Sequence, residues 1–192
     1  MKLRLKCFII FLVFLSASCS KIAVHEKLAD EKIFSFAKEV RKSEGLELCM
    51  YGGELYGQIN SFSIGFVSPN LVDIDRARIE YIDLSTRFLQ FVNSDSRVSE
   101  CSSKFPFTKD ELDLVIFYTP KSNQICGPFI IAVSMGEIDG TKRESIHYHQ
   151  KDPVTGESKI ILVENYDKAL DILKFQQCQR EMDAEMQTQP SF

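Results

Sequence analysis

The sequence predicts an α+β domain: a mostly antiparallel five-stranded sheet with helices packed on one face, in the order α-β-α-β-β-β-β-α. Three observations carry that expectation. Two long stretches repeat apolar residues at the helical period. Four short apolar runs after residue 111 are separated by turn residues, and a further helical stretch closes the chain.

The first helix is expected over 27–44, where Ala29, Ile33, Phe36, Ala37 and Val40 recur on one face and Gly45 supplies a stop. Gly52 and Gly53 then open a long strand. Leu55, Gly57 and Ile59 alternate in one phase and Phe62, Ile64 and Phe66 in the other, so a bulge or kink is expected near Asn60-Ser61. Pro69 ends this strand. A helix over 73–93 carries Ala77, Tyr81, Leu84, Phe88 and Phe91 on one stripe, with Ile79, Ile82, Leu89 and Val92 beside it. So wide a face should lie flat on a sheet. Residues 93–107 read as loop, and Thr108-Lys109-Asp110-Glu111 as a capping box that makes one helical turn.

Strands are expected over 112–119, 129–135, 145–150 and 159–164. Asp139-Gly140 serves as a hairpin turn and 152–156 as a second turn. The last helix begins near 166, with Ala169, Leu170 and Leu173 on its buried face. Beyond Met186 the chain frays into a polar tail, 187–192.

Residues 1–18 read as an export signal. Lys2, Arg4 and Lys6 form a positive start, and Cys7 to Leu15 is an unbroken apolar run, too short for the ~20 residues of a membrane-spanning helix. The run gives way to Ser16-Ala17-Ser18 and then Cys19. This ending resembles the lipobox of bacterial lipoproteins, a Leu and two small residues before a modified Cys. Ala17, Ser18 and Cys19 fall in register; Ser16 occupies the Leu position, with Leu15 one residue earlier. Ser16-Ala17-Ser18 would equally serve an ordinary signal peptidase cutting before Cys19.

The resemblance implies a mature chain that starts at Cys19 with a diacylglyceryl thioether and an acylated amine. Two or more acyl chains make such an anchor stable, where one alone is marginal. By the Gram-negative sorting rule, Ser20 implies an outer-membrane address, facing the periplasm or the cell surface. Residues 19–26 are then a tether and 27–186 a single domain. Arg76-Ala77-Arg78, Phe88-Leu89-Gln90-Phe91-Val92-Asn93, Phe105-Pro106-Phe107-Thr108 and Glu164-Asn165-Tyr166-Asp167-Lys168-Ala169 resemble stretches of small bacterial lipoproteins. No activity attaches to that pattern, so it implies no active site.

The chain has 192 residues and 44% hydrophobic content, enough for one domain with a real core. Losing Lys2, Arg4 and Lys6 takes the formal net charge from −4 to −7. An acidic body without a basic cluster argues against nucleic acid, and against an anionic lipid surface, as the main partner. Six cysteines are present, and Cys7 leaves with the signal. With Cys19 lipidated, Cys49, Cys101, Cys126 and Cys178 remain as an even set in an oxidising compartment, which predicts two disulfides. The long helix should return the chain towards the start of the first strand, pairing Cys49 with Cys101. The alternating meander should carry the last helix back towards Cys126, pairing it with Cys178. Buried free thiols are the competing reading. No two cysteines have the short spacing of a zinc site.

Motifs for chemistry are few. The sequence contains no Gly-rich phosphate loop, nucleophile elbow, H-E-x-x-H or EF-hand loop, and no cofactor is implied. His147 and His149 alternate in a strand and so share a face about 7 Å apart, a weak metal candidate without a third ligand. The simpler expectation is a polar solvent face with Ile146 and Tyr148 on the core side. Asp73, Asp75, Glu80 and Asp83, then Asp110, Glu111 and Asp113, are numerous acids whose convergence a sequence does not show. Trp, the usual stacking platform for polysaccharide, is absent.

The expected role is therefore that of a membrane-anchored cell-envelope lipoprotein. It would bind an envelope protein or act structurally, with the membrane as partner through its lipid. A hydrolase of envelope material and a periplasmic inhibitor or immunity-type protein are the alternatives.

Overall fold

The computed structural model describes residues 23–119, 129–137, 143–152 and 154–188. The export signal with Cys19, the Asp139-Gly140 turn, Cys126 and the end of the polar tail lie outside them.

Helix α1 (Val24–Glu44) buries Leu28, Ala29, Ile33, Phe36, Ala37 and Val40, the face its periodicity marks. Gly45 ends it at φ 74°, a left-handed conformation that glycine adopts without cost from a Cβ, and its N–H donates to the Arg41 carbonyl at 3.1 Å. Helix α2 (Ile74–Asn93) starts where Asp73 Oδ1 accepts from the Arg76 N–H at 2.8 Å, capping an otherwise open donor. A short α3 (Ser96–Glu100) occupies part of the segment expected to be loop, and Asp95 caps it. Buried Lys32 of α1 reaches the same Asp95 carboxylate and lies 4.6 Å from the Phe91 ring. The hydrogen bonds from Arg97 and Lys32 hold that carboxyl well below the usual range. The capping box at Thr108 is present and starts a single 3₁₀ turn, Lys109–Glu111. Helix α4 (Tyr166–Thr188) closes the chain.

The strands are β1 (Glu47–Gly52), β2 (Phe62–Ser68), β3 (Leu112–Tyr118), β4 (Ile130–Glu137), β5 (Arg143–Lys151) and β6 (Ser158–Asn165), in that spatial order. Among the described residues the sheet thus has six strands rather than the expected five, and it is mixed. The β2–β3 pair is parallel, whereas the other pairings are antiparallel. The reason lies in α2, a crossover that returns the chain to the end where β2 began.

The single long strand expected after Gly53 is not formed. Gly53, at φ 152°, lies against Ser61 so closely that a Cβ would run into its carbonyl. Residues 53–61 are a pinched loop, and this loop causes the change of phase that a bulge near Asn60-Ser61 was expected to explain. The bulge in this region is in β1 instead, between Leu48 and Met50.

One face of the sheet holds the core. Phe62, Ile64 and Phe66 of β2, Leu112, Leu114, Ile116 and Tyr118 of β3, Val133 and Met135 of β4, and Ile146 and Tyr148 of β5 are buried beneath the helices. Phe36 and Phe62 meet the Phe88 ring edge-on at 5.1 and 5.2 Å, and Phe107 meets Phe62 at 5.2 Å. Phe88→Ala removes the ring shared by both helices and the sheet. A loss of about 3–5 kcal/mol is expected in denaturant unfolding, with an unchanged slope.

Candidate functional site

The outer face of the sheet, opposite the helices, is where strand alternation leaves chemistry and apolar surface together. It carries Val67 of β2, Val115 and Phe117 of β3, Ala132, Ser134 and Gly136 of β4, His147 and His149 of β5, and Val163 of β6. Phe117 is 37% exposed, Val163 43% and Ile161 39%. On β5 itself the expected division holds, with Ile146 and Tyr148 buried on the core side. Its histidines do point outward, but they stand within an apolar surface.

His147 crosses to β4, where its ring lies flat over Gly136. A Cβ at that position would overlap the imidazole, so glycine here is a matter of space. Its Nε2 is buried and has no hydrogen-bond partner among the described residues. His149 stands between two hydroxyls, Ser134 Oγ at 3.4 Å from Nε2 and Ser158 Oγ at 3.3 Å from Nδ1. Both contacts are long. A nucleophile–imidazole–carboxylate relay would need an acid at Nδ1, and a serine occupies that place. No group of three His, Cys, Asp or Glu close enough to hold a metal exists among the described residues.

Burial first, and the neighbouring His147 second, hold the His149 imidazole below its ordinary range. A base depressed in the folded state contributes stability that is complete above its unfolded pKa and fades as pH falls towards the folded one. Stability is expected to drop as pH falls below about 6.5, and His149→Gln should flatten that dependence in denaturant midpoints taken across pH.

Beneath the sheet, the acids of α2 converge with two tyrosines. Arg78 Nε donates to Glu164 Oε2 at 2.8 Å, and Arg78 Nη1 to Asp75 Oδ1 at 2.5 Å. Tyr148 donates its phenol proton to the same Glu164 oxygen at 2.9 Å. Alongside, Glu80 accepts from Arg76 Nε at 2.8 Å and from the Tyr118 hydroxyl at 3.1 Å.

Desolvation opposes the Arg78 charge, yet the bonds to Glu164 and Asp75 outweigh it and hold the guanidinium above its usual range. Burial, then the Glu80 and Glu164 charges, push the Tyr118 and Tyr148 phenols well up. Each of the two glutamates is held by an arginine and a tyrosine, an arrangement that braces α2 on the sheet. Arg78→Met would leave Glu164 buried without its cation and cost about 3–5 kcal/mol, with much of that recovered when Glu164→Gln is added. Denaturant unfolding of the two variants measures the difference.

A groove of about 320 Å³ runs between α2 and α4 over Ile79, Ile82, Leu170 and Leu173, with Asp83 and Lys174 at its rim.

The cysteine expectations fare differently. Cys49, Cys101 and Cys178 are free thiols, so the expected Cys49–Cys101 bridge is not formed; Cys126, the expected partner of Cys178, lies outside the described residues. Cys49 sits in the β1 bulge beside Gly65, whereas Cys101 lies next to Ile59, its carbonyl accepting that residue's N–H at 2.8 Å. Ile59 and Gly65 are up to about 20 Å apart along an extended chain. The crossover of α2 does return Cys101 to the start of β2, but β1 folds back along β2 and carries Cys49 away from that end, to a place opposite Gly65 and Phe66. Cys178 is exposed on α4.

Phe117 and Val163 are the site residues that sequence reasoning missed. Their signals were the continuous apolar runs Leu114–Tyr118 and Ile160–Val163, which leave neither strand face polar. No helix among the described residues is long and apolar enough to cross a membrane. No protein-family model, curated protein or solved structure matches the chain.

Proposed function

We propose that the protein is a lipid-anchored domain of the bacterial cell envelope that acts by binding an envelope protein through the outer face of its sheet. The anchor is Cys19, and the address is the outer membrane, on its periplasmic or outward side. The observation that carries the binding role is the apolar outer face itself. Phe117, Ile161 and Val163 keep 37–43% of their surface in solvent although a two-layer fold could have used charged residues there.

Two measurements test this. The intact mass of the mature protein should show a chain starting at Cys19 with acyl mass, lost in Cys19→Ala. An unacylated chain starting at Cys19 would overturn the anchor. A photoreactive residue at Phe117 should give one discrete protein adduct in intact cells, abolished by Val163→Lys, while the same residue at Glu39 on the exposed side of α1 should not. Equal labelling from both positions would overturn the binding face.

A further inference from the structure

The lower rim of the domain, where α1 begins, is built from loops that project apolar side chains outward. Val24 is 78% exposed at the start of α1. Beside it, His25 Nε2–H donates to the Leu55 carbonyl at 2.7 Å and pins the 53–61 loop to the helix start. That loop is closed at its neck. The Asn60 N–H donates to the Glu54 carbonyl at 2.8 Å, and the Glu54 N–H to Ser61 Oγ at 3.1 Å. At its tip Gly57, at φ 73°, makes the turn that leaves Tyr56 94% exposed. The segment after α3 is strapped to the same loop through Ser103 Oγ, which donates to Asn60 Oδ1 at 2.6 Å, and it presents Phe105 at 43% exposure. Leu55, between these outward residues, packs on the core and holds the loop's base.

We infer that this rim, led by Tyr56 and Phe105, is the membrane-apposed end of the domain and that both rings seat in the lipid interface. The inference rests on the proposed anchor at Cys19. Only residues 20–23 separate that cysteine from Val24, a reach of at most about 18 Å. A domain of this size is about 40 Å across, so the tether is too short to let the far end approach the bilayer. The start of α1 must face the lipid, and the loops bonded to it face it too. Amphipathic aromatic rings are the side chains that a headgroup layer accommodates best. Phe117 and Ile161 lie near the opposite end of the sheet, where β3 ends and β6 begins, so the protein-binding face remains clear of the membrane.

The chain's lack of tryptophan supplies the test. Tyr56→Trp, Phe105→Trp and Val163→Trp are each made in the full lipidated protein. Each is reconstituted into phosphatidylethanolamine–phosphatidylglycerol vesicles containing acyl-brominated lipid. Tyr56→Trp and Phe105→Trp should be quenched several-fold more than Val163→Trp and shift their emission to the blue on reconstitution. Equal quenching at all three positions in a protein that floats with the vesicles overturns the orientation and leaves the anchor standing. A chain that carries no acyl mass and does not float removes the anchor, and this orientation falls with it.

Discussion

The packing of α2 across the inner face of the sheet is the constraint from which the rest of the molecule follows. A sheet of this size needs one face buried, and α2 covers the middle of it. The helix brings Phe88 between Phe36 and Phe62, sets the Tyr81 hydroxyl 3.2 Å from the Leu114 carbonyl and places Arg78 against Glu164. Because α2 also crosses from the end of β2 back to the start of β3, it makes that pair parallel and fixes the direction of every later strand. The helices and the sheet form two layers, so the described helices leave the outer face uncovered.

Apolar packing decides the fold, and polar bonding decides its register. The aromatic cluster would tolerate small sliding of α2, since ring contacts are broad and non-directional. The pairs Arg78–Glu164 and Glu80–Tyr118 do not, because a hydrogen bond weakens steeply with distance and angle. Each also lies almost out of water, where an unmade bond costs most. The helix therefore has one favourable position along the sheet, and the bonds at its N-terminal half choose it.

What the sequence made legible is what local physics dictates. Both long helices were readable to within a few residues, because apolar period, Asp73 and Gly45 all act within one element. The last four strands were readable for the same reason. β1 was not, since Glu47-Leu48-Cys49-Met50-Tyr51 has little alternation and its partner lies beyond a loop. The loop of 53–61 was mistaken for strand because Leu55 and Ile59 happen to be two apart from Gly57, an alternation without pairing. At the candidate site, His147 and His149 were readable as neighbours on one face. The Gly136 platform under His147 and the serines around His149 were not, because they come from strands whose register only the folded sheet sets. The Cys49–Cys101 pairing failed on topology, as β1 folds back along β2 and carries Cys49 away from the end where Cys101 lies.

The irregularity between β5 and β6 matters most when copies of the domain meet edge to edge. Residues Tyr148 and His149 pair with Leu162 and Ile160, so Ile161 is an extra residue in the outermost strand among those described. An edge of regular strand offers a ladder of open donors and acceptors to any identical neighbour. A high local concentration raises how often such edges collide. The extra residue twists that ladder out of step, so colliding copies find mismatched bonds and separate.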